Sequence, residues 1–251
     1  MQRSLSCPAI VLRKSRVGEI HKSLTLLTPS LGLIRAMAHG ALKIASRLRS
    51  ASEPFQLLKV CLYHEPVKDQ YKITDAESVE AMGELRRSVA KYYTASLWAE
   101  VCLRSYGGGE GSSALFLLLR DALRLLDRAP AGGELRLSLQ FLARFLELSG
   151  HRIDIESCGR CGLPVDPRHP FFLAREEGLL ACPACAEPGS LRLPAGARRY
   201  LQRTRELPLD QAAEVGLERA ALEALRAALY RLVESSLESP LNSLRCGAGI
   251  L

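Results

Sequence analysis

The chain lacks several features that would each commit it to a function class, and their absence narrows the field before any motif is considered. No apolar run approaches the ~18 residues needed to cross a bilayer; the greasiest stretch, 114–126, is broken by Arg120, Asp121 and Arg124. Residues 1–16 alternate apolar and charged side chains, without the apolar segment of a secretory leader. The expectation is a cytoplasmic protein with no membrane partner. There is no Gly-x-x-x-x-Gly-Lys-Ser/Thr loop, no Gly-x-Gly-x-x-Gly after a strand and no Gly-x-Ser-x-Gly elbow. The glycine run at 107–111 is followed by no lysine and hydroxyl, so it is expected to be a linker rather than a phosphate cradle. Asp69, Asp75, Glu77 and Glu80 are scattered, and none pairs with a histidine at metal-ligand spacing, which argues against a nuclease or other metal enzyme. The expectation is a protein that is not an enzyme and has no catalytic residues.

Acid is also missing from one part of the chain. Residues 1–49 hold nine basic side chains (Arg3, Arg13, Lys14, Arg16, Lys22, Arg35, Lys43, Arg47 and Arg49) against the single acid Glu19. The other residues hold 25 basic and 26 acidic groups, so the whole-chain excess of +7 belongs to the first fifth of the sequence. A cluster of this kind concentrates anions and favours phosphate binding by counterion release.

What is present falls into two regimes. At 251 residues and 47% hydrophobic composition the chain can bury one or two cores. Short segments with period-two alternation at 7–13, 21–28, 33–39, 55–64 and 70–77 predict five strands. Pro29-Ser30-Leu31-Gly32 supplies a hairpin turn between the second and third. Alternation in the third puts Ile34, Ala36 and Ala38 inside and Arg35 and His39 on the outer face. Residues 40–49 are too basic for a core element and predict a long exposed connection. Five short strands with one such loop fit a small Greek-key barrel of the OB type, a fold that commonly binds oligonucleotides. From about residue 78 the period changes, predicting amphipathic helices over 77–106, 114–128, 134–149 and 210–238, with Gly150 ending the third and Asp210 capping the fourth. The expected architecture is therefore α+β and multidomain: an OB-fold β-barrel at 1–78, then an α-helical domain at 79–251 with an inserted zinc module at about 156–188.

That module rests on Cys158-Gly159-Arg160-Cys161 and Cys182-Pro183-Ala184-Cys185, half of the eight cysteines. Each Cys-x-x-Cys knuckle can present two thiolates to one ion, and two knuckles complete a tetrahedral shell. Four thiolates leave no position for water or substrate, so the Zn²⁺ would be structural. The zinc deaminase signature is absent, since no His-x-Glu exists and Ala181 precedes Cys182. His169 is expected to be a surface loop residue, and Cys7, Cys61, Cys102 and Cys246 ordinary thiols.

The chain resembles the RecO family of bacterial DNA repair proteins along nearly its full length. The resemblance is carried by an ordered set: Ala9-Ile10-Val11-Leu12 with Gly18-Glu19, Leu26-Leu27-Thr28-Pro29-Ser30-Leu31-Gly32, His39-Gly40-Ala41, Ser46-Arg47-Leu48, Pro54-Phe55, Tyr71-Lys72-Ile73-Thr74-Asp75-Ala76-Glu77, the knuckle at 158–162 and Leu244-Arg245. It implies an OB-fold, a helical domain and a four-cysteine zinc module. It implies a recombination mediator that binds single- and double-stranded DNA, anneals complementary strands and acts with RecR. It further implies help for RecA in displacing the single-strand DNA-binding protein, whose C-terminal tail such proteins bind, in the cytoplasm at the nucleoid. Two positions depart from the pattern. His39 stands where a lysine or arginine is usual, which makes a phosphate contact there weaker or pH-dependent. Glu53 places an acid where a neutral residue is usual.

The candidate phosphate-binding residues are Arg13, Lys14, Arg16, Arg35, His39, Lys43, Arg47 and Arg49, which would position strands without reading sequence. Arg198, Arg199, Arg203 and Arg205 form a secondary basic patch that could receive DNA or an acidic tail. The competing reading is a zinc-stabilised adaptor whose basic barrel binds an acidic protein partner.

Overall fold

The computed structural model describes residues 4–105, 112–166, 168–174, 179–247 and 249–250. Strands β1 (Ser4–Val17), β2 (His21–Thr28) and β3 (Gly32–Ala38), the helical turn α1 (Leu48–Ala51), and strands β4 (Leu57–Glu65) and β5 (Gln70–Glu80) come first. The five strands close into a barrel of order β1-β2-β3-β5-β4, with β3 and β5 parallel and the remaining pairs antiparallel. Alternation decides what lies inside. Val11, Leu24, Leu26, Ile34, Ala36, Ala38, Val60, Leu62 and Ile73 all point into one core. The small side chains among them let so few strands close without a void. Gly32, at φ +65°, turns the β2–β3 hairpin, and Thr28 Oγ1 braces it by accepting from the Leu31 amide at 3.0 Å.

Two sequence expectations change here. The fourth strand starts at Leu57, not at 55. Buried Phe55 takes φ +66°, outside the extended region, while its amide bonds the Val11 carbonyl at 2.7 Å. Nor is the 40–49 connection wholly exposed. Within the expected 40–49 stretch Ala41 is fully buried in the barrel core, and successive turns bond Lys43 N to Gly40 O, Ser46 N to Lys43 O and Arg49 N to Ser46 O.

The helices follow as α2 (Gly83–Arg87), α3 (Val89–Arg104), α4 (Ser112–Arg128) and α5 (Glu134–Leu148). Then come β6 (Phe171–Leu173), β7 (Leu180–Ala181), β8 (Leu191–Leu193), α6 (Ala195–Thr204), α7 (Leu209–Glu214), α8 (Arg219–Ser236) and α9 (Asn242–Cys246). The single helix expected over 77–106 is the end of β5 followed by α2 and α3. Ser88 is extended and its hydroxyl accepts from the Lys91 amide, capping α3 and breaking the run. The helix expected over 210–238 is likewise two, α7 and α8, parted at Val215–Glu218. Pro208, not Asp210, stands at the cap of α7, and Asp210 lies in its first turn. The α5 terminus follows expectation: Gly150 at φ +80° donates to Glu147 O and His151 to Leu146 O, the paired bonds of a Schellman ending. The expected linker at 107–111 lies outside the described residues.

The chain forms two compact units, residues 1–128 with 242–251, and residues 129–241. In the first, α3 packs on β1 and α4 on β2 and β3. Ile10, Leu12 and Leu27, outside the barrel-interior set, are consequently buried as well. Asp127 Oδ1 accepts from the Leu85 amide at 2.7 Å and Glu100 from the amides of Asn242 and Ser243 at 3.0 and 2.7 Å, satisfying first-turn donors of α2 and α9. In the second, α5 packs on α7 and α8, and α8 on α6 and β8. The strands β7-β6-β8 make a small separate sheet.

Candidate nucleic-acid face and cysteine centre

Beyond the part packed by α3 and α4, Arg13, Lys14, Ser15 and Arg16 of β1 and Arg35 of β3 are exposed among the described residues. A register shift between Val11 and Arg13 turns Arg13 outward, and the ladder then aligns Arg13, Thr25 and Arg35 in one row across three strands. With strands ~4.8 Å apart, the two arginines stand about 10 Å from each other across the short Thr25. Neither forms an ion pair among the described residues, and both are exposed. Lys43, Arg47 and Arg49 on the connection are also exposed and without side-chain partners among the described residues. The β4–β5 side of the barrel mixes both signs: on β5, exposed Glu77 pairs in register with exposed Lys59, and exposed Asp75 with Cys61.

The other three candidates are exposed but engaged. Arg16 donates to the carbonyls of Gly18 at 2.9 Å and Glu19 at 3.4 Å, inside its own hairpin. His39 meets the edge of His21 at 4.9 Å between ring centroids, and His21 Nδ1 accepts from the Gly40 amide at 3.0 Å. Lys14 is ion-paired with Glu53. The other oxygen of Glu53 accepts from Lys22 at 3.1 Å, and the buried Lys22 ammonium also donates to Ser52 Oγ at 2.6 Å and Arg49 O at 3.4 Å. Burial pushes the Glu53 carboxyl up, but the hydrogen bonds and charges of Lys14 and Lys22 outweigh it and leave it below the usual glutamate value. The unusual acid at position 53 is thus the counter-ion of a buried lysine. Extending the inward alternation of Leu26 and Leu24 back to residue 22 would have located that lysine.

In the second unit, Cys158, Cys161, Cys182 and Cys185 converge, with their sulfurs all within 4.8 Å of one another. The first knuckle is a tight turn: the Gly162 amide donates to Cys158 O at 2.8 Å, with Gly162 at φ +72°. Gly159 admits the close approach of the chain entering β7, since a Cβ there would stand 3.3 Å from that of Leu179 and 3.4 Å from Leu180 O. The second turn is closed by Cys185 N donating to Cys182 O at 3.0 Å. Burial opposes ionisation of Cys158, but the amides of Cys161, Cys182 and Arg160 prevail and lower its thiol to about 6; the Cys182 amide lies 3.3 Å from its sulfur. Cys185 is pushed up to about 12, chiefly by hydrogen bonding with Cys182 and Cys161. Four ~2.3 Å metal–sulfur bonds in a tetrahedron place sulfurs about 3.8 Å apart, so the cluster is close enough to hold one ion. β6 and β7 pair antiparallel between the two knuckles, and residues 175–178, which join them, lie outside the described residues.

The secondary arginine patch does not assemble as expected. Arg198 is buried: its guanidinium donates to the carbonyls of Ile155, Asp166 (2.8 Å) and Glu156 (3.4 Å) and lies 4.6 Å from the centre of the Phe171 ring. Arg205 turns back to Ile153 O at 3.3 Å. Only Arg199 and Arg203, one turn apart on α6, face solvent.

A closed five-stranded barrel with this strand order defines an OB-fold protein, here joined to a helical region with a four-cysteine cluster able to bind a metal ion. The models of "Recombination protein O N terminal" and "Recombination protein O C terminal" match residues 1–82 and 86–245. The DNA repair protein RecO of Rubrobacter xylanophilus is 31% identical over 87% of this chain and 88% of its own length. That of Desulfosudis oleivorans is 30% identical over 96% and 95%, and that of Anaeromyxobacter dehalogenans 32% over 91% and 89%. The chain belongs to the RecO family of DNA repair proteins.

Proposed function

We propose that this protein is a non-catalytic recombination mediator that binds single- and double-stranded DNA through its barrel and anneals complementary strands. With RecR it would help load RecA onto single strands covered by single-strand DNA-binding protein, at the nucleoid in the cytoplasm. The supporting observation is a set of exposed cations with no side-chain partner among the described residues: Arg13 and Arg35 in one row across β1–β3, with Lys43, Arg47 and Arg49 on the adjoining connection. Charges of this kind track a phosphate backbone without reading bases, and by neutralising it they let two complementary strands approach. Residues 1–78 are the DNA-binding domain in this reading, and residues 79–251 the helical domain with the module at 156–188. That module holds structural Zn²⁺ through Cys158, Cys161, Cys182 and Cys185, whose sulfurs suit a closed four-thiolate shell. Arg199 and Arg203 are the residues left to meet the acidic C-terminal tail of the single-strand DNA-binding protein.

The test is fluorescence anisotropy of a labelled single strand across a salt series. Tight binding at low salt with a steep loss as salt rises is expected. Replacing Arg47→Glu together with Arg49→Glu should weaken binding for all sequences and flatten the log–log salt slope by about 1–2. Unchanged affinity in the double variant would move the site elsewhere. Failure of the native protein to bind at low salt would favour an adaptor whose basic barrel docks an acidic protein.

A further inference from the structure

The cations do not account for one end of the barrel. Ile44, in the middle of the basic connection, is 90% exposed, and Val17 and Ile20 in the β1–β2 hairpin turn are each 38% exposed. The two segments are joined, since the Leu42 amide donates to Ile20 O at 3.0 Å. Nor is Ile44 on a slack loop. The turns from Gly40 to Arg49 are hydrogen-bonded in succession, Gly40 N is held by His21 Nδ1 at 3.0 Å, and the buried Lys22 ties down Arg49, Ser52 and Glu53. Single exposed aliphatic residues are ordinary. Here the β1–β2 turn that carries Val17 and Ile20 is hydrogen-bonded to the connection two residues before almost wholly exposed Ile44, so one barrel end presents three aliphatic side chains, an apolar tip. Arg16, Lys43 and Arg47 flank these residues in the chain, and Glu19 is the only acid between positions 13 and 52.

We propose that this tip, with Ile44 at its apex, contacts the faces of unpaired bases and is the element that favours single strands over duplex. The inference rests on the DNA-binding reading above and adds to it the form of DNA preferred. The basic rim selects a polyanion, and the apolar apex selects a polyanion that also offers apolar surface. A duplex hides its base faces in the stack and presents phosphates, whereas an unpaired strand presents base faces beside its phosphates. The cations alone would hold both forms through the same phosphate contacts and discriminate little. Because the backbone that carries the tip is already hydrogen-bonded, less of it has to be ordered to make the contact.

The experiment compares the full-length protein with Ile44→Ser and Ile44→Leu, by anisotropy on a single strand and on the duplex of the same sequence, at several salt concentrations. Ile44→Ser should weaken single-strand binding by about five- to tenfold, as expected for losing one aliphatic contact, with duplex affinity within about twofold and the salt slope unchanged. Ile44→Leu should bind as the native protein does. Equal binding of the serine variant to single strands, or an equal loss on both forms, would overturn the proposal. So would native binding to phosphatidylglycerol vesicles that Ile44→Ser abolishes without changing single-strand affinity, which would assign the tip to a lipid surface. If the native protein binds neither DNA form at low salt, the DNA-binding reading itself fails, and that is seen before any variant is measured.

Discussion

Arg198 shows how far one side chain's role can lie from its appearance in the sequence. Beside Arg199 and two further arginines it looks like part of a charged surface, yet it is 4% exposed and its guanidinium serves three backbone carbonyls and an aromatic ring. Burial works against its charge, and the carbonyls are what make that burial tolerable. Arg198→Ala would leave the carbonyls of Ile155, Glu156 and Asp166 without this donor beside the first cysteine knuckle. We expect a loss of about 2–4 kcal/mol in denaturant unfolding, from charge-assisted hydrogen bonds and the cation–π contact. Arg198→Lys should recover only part of it, because an ammonium cannot reproduce the planar fork. A substitution at exposed Arg199 should leave stability within about 0.5 kcal/mol of native. No local pattern could have separated the two, because the deciding carbonyls lie 32 to 43 residues away in the chain.

At the scale of elements, the connection from β3 to β4 depends on an acid. Glu53 holds Lys14 and the buried Lys22, and its carboxyl titrates below the usual glutamate value. A carboxyl lowered by folding contributes stability that is complete above its unfolded pKa and is lost as pH falls through the folded one. Acidification below about pH 4.3, the ordinary glutamate value, should therefore loosen this connection, and amide exchange at 40–53 should rise there. Glu53→Gln should show that faster exchange already at pH 7, with little further change on acidification. In the proposed function the cysteine module depends on a structural ion held by Cys158, Cys161, Cys182 and Cys185. Stripping the protein with a strong chelator should release about one zinc per chain and lower the melting temperature. Cys161→Ser should reduce the metal content and cause the same destabilisation. A native protein free of zinc and indifferent to chelation would refute the structural metal.

For the whole molecule the telling property is the separation of charge by sign and by unit. The excess of positive charge lies on the first fifth of the chain, and the fold displays most of it on β1–β3 and the connection while β5 shows Asp75 and Glu77. DNA affinity should therefore fall steeply with salt, and the fall should be shallower once Arg13→Glu and Arg35→Glu remove one row of contacts. Replacing Arg199 and Arg203 together should leave the slope for DNA unchanged, because those arginines belong to the other compact unit and serve the protein tail in the proposed function.

The sequence by itself determined the elements whose periods are local: the five strands, the Gly32 and Gly150 turns, the outward Arg35 and the paired knuckles. Alternation, glycine at positive φ and ligand spacing are all written within a few residues. Helix breaks were less legible, because apolar spacing continued across Ser88 and across Gly216 and masked the interruptions. Only the tertiary structure decided that α3 and α4 cover part of the barrel wall, that Glu53 is the acid that reaches inward-facing Lys22, and that Arg198 is a clasp rather than a surface charge. Each of those outcomes depends on which distant backbone or side chain arrives to satisfy a charge or cover an apolar face. Long-range contacts settle that, and no local period encodes them.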